Sequence, residues 1–336
     1  MKKLTIFFIV VDILVAGCFF LFYGPFETFR NTIITTAIAT KTHDYIAYTF
    51  YSEKKVSEVI NLNSYIPLTD NVNLDDIIID TKPRDSYDNE YDEAILTRDE
   101  GNDLYKYLKI KVGGYDAHLV AIYDPSKVIL MTCAKFNTIN RSGKERVSSM
   151  AKRYNAVIGI NGGGFSDPDG YGSDIPLGYV IKDGKIIWST SNNKQPLIGF
   201  TNDNKLLLVN ATGEDAIKMG MRDAVQFGPF LIVNGETIKY KSTVGGYDRA
   251  ARTAIAQRKD GIVLFLVTEG THSRGPNMSE VAETLKKYGA YNAANMDGGT
   301  SVQMVIKNKL INNPKNVYGK TVSGGRMVVT AWGVTE

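Results

Sequence analysis

The chain has 336 residues, a formal net charge of +3 with acids and bases interspersed, three histidines and two cysteines. No long basic stripe points to nucleic acid, no His/Cys set has the spacing of a structural metal site, and two cysteines exclude a disulfide framework. The length suffices for one large core or two modest ones.

Leu4 to Tyr23 is apolar apart from Thr5, Asp12 and the small or sulfur-bearing residues. At about 1.5 Å per residue it crosses a hydrocarbon core of about 30 Å. Lys2 and Lys3 precede it and Gly24-Pro25 ends it. The positive-inside rule therefore puts Met1 in the cytoplasm and the rest of the chain outside, as a single-pass protein of the cell membrane. The apolar run continues through Phe19 to Phe22, which favours an uncleaved anchor over a signal peptide. Val15-Ala16-Gly17-Cys18 also spells a lipoprotein box, a second form of tether on the same side of the membrane.

Residues 28–103 read as a juxtamembrane helix followed by a polar linker crowded with Asn, Asp, Tyr and Pro. From 104 to 336 the pattern changes to short apolar strands. Asp183-Gly184, Asn234-Gly235 and Asp260-Gly261 each sit between two such runs and predict antiparallel hairpins. Two helices interrupt the strands. Ser142 with Glu145 offers a capping box ahead of Val147, Met150, Ala151 and Tyr154, and Asn277 or Ser279 opens a second helix that Gly289 stops. The expected fold is α+β, with strand-rich mixed or antiparallel sheets, a few helices and one preceding transmembrane helix.

Each helix leads into a buried strand and then a glycine loop: Asn161-Gly162-Gly163-Gly164-Phe165 after the first, Asp297-Gly298-Gly299-Thr300-Ser301 after the second. Such loops let backbone N–H groups approach an anion. The P-loop lysine and the G-x-G-x-x-G spacing are both missing, so nucleotide fingerprints do not apply.

These two loops, with Gly228-Pro229-Phe230-Leu231, Asn234-Gly235 and Arg252-Thr253-Ala254-Ile255 between them, occur in the order seen in the phosphodiester glycosidase family, which the chain resembles from about Tyr105 to Val334. The chain departs from the family at Glu269-Gly270-Thr271, where Asp-Gly-Arg is frequent; Arg274 or His272 would then replace the arginine. The resemblance implies hydrolysis of a sugar 1-phosphodiester at the anomeric carbon, here in cell-envelope or exopolysaccharide glycans. The alternative is a non-catalytic carbohydrate-binding or structural component of exopolysaccharide synthesis.

On that reading Arg252 clamps the phosphate, because a guanidinium matches its oxygens bidentately. Glu269 and Asp297 close adjacent strands and supply acid, base or nucleophile in an order the sequence leaves open. Asn161, Gly162, Gly163, Gly298, Gly299 and Ser301 bind sugar or phosphate, and Phe165 either stacks on a sugar or belongs to the core. His272 reads as a solvated loop histidine. Asp167, Asp169 and Asp174 offer hard oxygen ligands, but their spacing is not that of an EF-hand, so no cofactor is expected and calcium is the one candidate ion.

Overall fold

A computed structural model describes the whole chain except residues 1, 40–43, 69–70, 81, 137–142, 167–174 and 244. Ser142 and the acidic group Asp167, Asp169 and Asp174 thus lie outside the described residues. The chain forms two compact units: Met1–Tyr65 with Tyr240–Asp248, and Ile66–Lys239 with Arg249–Glu336.

The first unit is helical. Lys2–Tyr23 is one helix, long enough to cross a bilayer, and Leu4, Phe7, Ile13, Leu14 and Phe19 along it are all exposed. The Gly24 N–H donates to Phe20 O at 2.8 Å where the helix ends. Glu27–Ala39, Asp44–Phe50 and Glu53–Leu62 follow as three shorter helices. They bury Ile34, Ala37, Ala47, Tyr51, Val56 and Val59 against one another. The stalk expected from sequence is thus a small helical cluster with its own core.

The second unit is built around three sheets of five or more strands, antiparallel in every pairing described, with a two-stranded ribbon of Phe165–Ser166 and Ile175–Pro176 beside them. Seven strands run in the order Glu236–Thr237, Phe230–Val233, Ala290–Met296, Thr253–Arg258, Val263–Thr268, Tyr115–Ile122, Tyr105–Val112. A second sheet orders Lys309–Leu310, Met304–Ile306, Ala156–Asn161, Thr330–Thr335 and Val128–Thr132. The third orders Leu206–Ala211, Gln195–Thr201, Met221–Gln226, Tyr179–Lys182 and Lys185–Ser189. One apolar core joins all three through Val120, Ile160, Phe200, Phe265 and Trp332. The Trp332 and Phe200 rings meet edge to face at 5.6 Å, the geometry that ring quadrupoles favour.

The predicted hairpins form. Asp183 and Gly184 both take positive φ, as do Asn234 and Gly235, which is what a two-residue type I′ turn requires. The helix Met278–Lys287 starts from Asn277 and Glu280 in a reciprocal capping box. The earlier helix, Val147–Arg153, has no side-chain cap. Glu145 is not its capping partner: the carboxylate instead accepts the Ala134 N–H at 2.8 Å and Arg153 Nη2 at 2.6 Å.

The polar stretch before residue 104 is not a linker from Ile66 onward. Asn89 caps the helix Glu90–Leu96, Ile77 and Ile95 are buried, and Arg258 Nη1 holds Asp92 Oδ1 at 2.7 Å. Asp260 completes that buried pair at 3.0 Å. Low apolar content hid this packing, because polar capping and one ion cluster do the anchoring that hydrophobic periodicity would otherwise signal.

Candidate active site

The register of the seven-stranded sheet fixes the site. Thr253 faces Met296 on one side and Val267 on the other. Arg252 therefore sits between Asp297, one residue past Ala290–Met296, and the Thr268-Glu269 end of the other neighbour. The strands carrying the two acids are not adjacent. Thr253–Arg258 lies between them, which separates their backbones by two strand spacings, about 9–10 Å.

Arg252 is held by its backbone: its N–H donates to Thr268 Oγ1 at 2.8 Å and its carbonyl accepts the Thr268 N–H at 2.9 Å. Its guanidinium borders Gly298, where an added Cβ would stand 3.8 Å from Arg252 Nη1. The tighter neighbour of that Cβ position is the Ala251 carbonyl oxygen, at 3.0 Å. Gly299 has φ +59°, and a Cβ there would meet His272 Cβ at 3.1 Å. His272 is accordingly packed under this loop with both ring nitrogens shielded from water, and is not the solvated histidine the sequence suggested.

Asp297 is half-buried, and burial pushes its carboxyl upward from the usual range; the Ser301 hydroxyl, the Arg326 charge and the Gly298 N–H pull the other way. Arg326 Nη1 donates to Ser301 Oγ at 3.2 Å, and its guanidinium lies 4.9 Å over the Phe165 ring. Phe165 thus packs beside the core with a cation on one face. Arg326 is the second guanidinium of the site, whereas Arg274 is exposed. Sequence reading missed it because its partners come from two distant segments, Phe165 and the 297–303 loop; the Gly324-Gly325 pair before it was the available signal.

Glu269 faces a different set of groups. Its Oε1 lies 3.3 Å from His118 Nε2 and accepts the Asn313 N–H at 2.9 Å. His118 Nδ1 is 2.8 Å from Tyr107 Oη. Burial raises the Tyr107 phenol, and the Glu269 charge adds to the shift. His118 was also missed, since it stands mid-strand among apolar residues with no motif around it.

The amides of Gly162, Gly163, Gly298 and Gly299 all have hydrogen-bond partners within the protein. Gly162 and Gly163 N–H groups donate to Thr330 O and Thr330 Oγ1 at 3.0 and 3.1 Å. Gly298 N–H donates to Asp297 Oδ1 at 3.0 Å and Gly299 N–H to Ala251 O at 2.8 Å. The first loop is glycine-rich for packing: a Cβ on Gly163 would come 2.9 Å from Val225 Cβ, and one on Gly164 2.6 Å from the Phe227 ring. Asn161 is likewise a strut. It is 1% exposed, donates to Asp297 O at 2.6 Å, and accepts from Thr253 Oγ1 at 2.7 Å and Gln303 N at 3.1 Å. It holds the Asp297 backbone in place from below. Buried Gln303 extends the support, donating to Ser301 O at 3.2 Å and Arg326 O at 2.7 Å.

The arrangement offers two guanidinium charges, one carboxyl raised by burial and a second carboxylate oriented by a histidine. Among the described residues no group of three or more His, Cys, Asp or Glu is placed to hold a metal.

Residues 154–335 match the family model described as phosphodiester glycosidase. The SPbeta prophage-derived uncharacterized protein YomE of Bacillus subtilis (strain 168) is 30% identical over 199 residues, covering 57% of this chain and 30% of that protein. The N-acetylglucosamine-1-phosphodiester alpha-N-acetylglucosaminidase of Homo sapiens is 27% identical over 187 residues, covering 51% of this chain and 36% of the enzyme. The Mus musculus enzyme of the same name is 26% identical over 157 residues, covering 42% and 30%. The chain spans about a third of the length of these relatives. In fold it is similar to the catalytic domain of the zebrafish enzyme, solved in a form auto-inhibited by its pro-peptide, with a TM-score of 0.56 at 22% identity over 69% of this chain and 82% of that one. With more than half its length under that family model, the chain belongs to the phosphodiester glycosidase family.

Proposed function

We propose that the sheet domain hydrolyses sugar 1-phosphodiesters, freeing the sugar and leaving the phosphate as a monoester. Water attacks the anomeric carbon, the bond from that carbon to the phosphate oxygen breaks, and the electron pair stays on the phosphate. One carboxylate takes the proton from water. A phosphomonoester leaves more readily than an alkoxide, so stabilising its charge matters more than protonating it. The observation that carries the reading is the register that sets Arg252 directly beside Asp297, with Arg326 joining from the Ser301 side.

Arg252 and Arg326 bind the phosphate on this reading, and Asp297 and Glu269 share the acid–base work at the sugar. Asn161 and Gln303 position the Asp297–Ser301 loop, and Gly298 leaves room for the ligand. Lys2–Tyr23 serves as a single membrane span with the sheet domain outside, so the substrates are phosphodiester-linked glycans of the envelope or exopolysaccharide. Incubating the full chain with N-acetylglucosamine 1-(methyl phosphate) tests the chemistry. Release of N-acetylglucosamine, lost in Asp297→Asn, supports it; binding without release would make the domain a carbohydrate-binding module.

A further inference from the structure

Aromatic contacts continue past the Gly24-Pro25 break that ends Lys2–Tyr23. Phe20 meets Phe26 edge to face at 5.4 Å, and Phe22 meets Phe29 at 6.1 Å and Phe50 at 5.1 Å. The Tyr51 ring lies 6.4 Å from Phe22 and 6.1 Å from Tyr23. Arg30 Nη1 donates to Gly24 O at 3.0 Å, just beyond the end of that helix. The start of Glu27–Ala39 and the end of Asp44–Phe50 are thus drawn against the final turn of the first helix.

These contacts leave the outer faces of the rings open. Phe26, Phe29 and Phe50 are 44%, 43% and 41% exposed, and Tyr23 is 54% exposed. The core of the helical cluster, from Ile34 to Val59, includes none of these four. Neighbouring exposed apolar side chains of this kind mark an interaction surface. The rings are gathered at one end of the cluster. Glu53–Leu62 carries the chain about 15 Å away from Tyr51, and there the residues are polar: Asn63 Oδ1 accepts the Gly246 and Tyr247 N–H groups at 3.0 and 2.7 Å.

Resting on the reading of Lys2–Tyr23 as a membrane span, we propose that the helices after it form a base seated in the bilayer surface. Phe26, Phe29 and Phe50 immerse at the boundary between acyl chains and headgroups. Phe20 and Phe22 belong to the last turn of the span, so rings in contact with them stand at nearly the same depth. That boundary is where aromatic side chains are most favourably placed, one face apolar and the other wet. Arg30, bonded to Gly24 at the span's exit, stands at the level of the lipid phosphates, a level at which basic side chains anchor helix ends. The occupant of the open faces is therefore lipid, continuous with the lipid around the span. The chain lies down on the membrane where it leaves it, instead of rising as a stalk.

The test uses the full, unaltered chain at one copy per nanodisc. The lipid is phosphatidylcholine, part of it bearing a diazirine next to the glycerol, and photo-adducts are mapped to single residues by tandem mass spectrometry. Adducts on Phe26, Phe29 and Phe50 should exceed those on exposed Asn61, at the polar end, several-fold. Adducts confined to Leu4–Tyr23 keep the span and overturn the base. Equal labelling of Asn61 and the three phenylalanines also overturns it. Adducts in neither place remove span and base together. Adducts that stop at Tyr23 in single-copy discs, while liposomes with many copies give chain-to-chain crosslinks at Phe29 or Phe50, assign the face to a second copy and overturn the lipid occupant. None of these readouts depends on turnover, so they stand whether or not the sheet domain hydrolyses its substrate.

Discussion

Glu269 Oε1 and His118 Nε2 stand 3.3 Å apart, and the opposite nitrogen of the same imidazole lies 2.8 Å from Tyr107 Oη. The Tyr107 and His118 rings are stacked within 7° of parallel. A carboxylate at the end of a strand is thereby tied to two side chains rising from neighbouring strands, and its free rotation is restricted. This is the arrangement by which a proton-transferring carboxylate is kept in one orientation.

His118→Ala should therefore lower kcat with little change in KM. Loss of one hydrogen bond to a charged group is worth about 1.5–3 kcal/mol, or roughly a tenfold to hundredfold loss of rate. Tyr107→Phe should act in the same direction with a smaller effect. His118→Gln, whose amide can still donate, should recover part of the rate. Steady-state kinetics on the methyl phosphodiester decides this: a variant that loses only thermal stability would show His118 to be structural.

Asp297→Asn should abolish release of the free sugar while leaving the fold intact, a loss of about 10²- to 10⁴-fold if the group transfers a proton. Its carboxyl is raised by burial, so the native state binds that proton more tightly than the unfolded chain does. The stability this gives is fully present below the ordinary carboxylate value and is lost as pH rises through the raised value. Asparagine mimics the neutral acid and does not titrate. Thermal melts should show Asp297→Asn gaining on the parent as pH rises towards neutrality, with the difference shrinking in acid. A constant difference across that range would mean the native carboxyl is not raised.

Arg326→Ala should reduce kcat/KM by about 10²-fold, the size expected for removing one preorganised donor from a developing anion. Arg326→Lys should recover little. The guanidinium packs 4.9 Å over Phe165 while donating to Ser301, and an ammonium has no plane with which to do both. Arg274→Ala, at an exposed position, should behave as the parent. Equal losses for Arg274 and Arg326 would reassign the second cation.

The hairpins and the second capping box were legible because each is written in a few contiguous residues: Asp183-Gly184, Asn234-Gly235, Asn277 with Glu280. The order of motifs was enough to bring Arg252 and Asp297 together. What could not be read was which strand stands between which. The sequence suggested that Glu269 and Asp297 close adjacent strands, whereas register puts Thr253–Arg258 between them. Arg326, His118 and Gln303 matter through pairings such as Arg326–Ser301, His118–Glu269 and Gln303–Arg326, which are 25, 151 and 23 residues apart, and no local pattern encodes such pairings. The packing of Gly163 and Gly164 against Val225 and Phe227 was hidden for a related reason, since a close-packing glycine and a ligand-approaching glycine look alike until the neighbouring strand is in place.

The packing role of the first glycine loop has its own consequence. A Cβ on Gly162 would meet Thr330 Oγ1 at 2.7 Å and the Thr330 carbonyl carbon at 3.0 Å, both fixed in the adjacent strand. Gly162→Ala should cost about 1–3 kcal/mol of stability through overpacking. Asn161→Ala should cost about as much per orphaned partner, because Thr253 and Gln303 would lose their shared acceptor in a buried site. Chemical denaturation measures both losses. If the loop instead held substrate through its amides, Gly162→Ala would weaken binding and leave the unfolding midpoint where it was. With Thr330 already occupying those amides, the midpoint should fall first, and activity should follow only as the Asp297 backbone loses the support of Asn161.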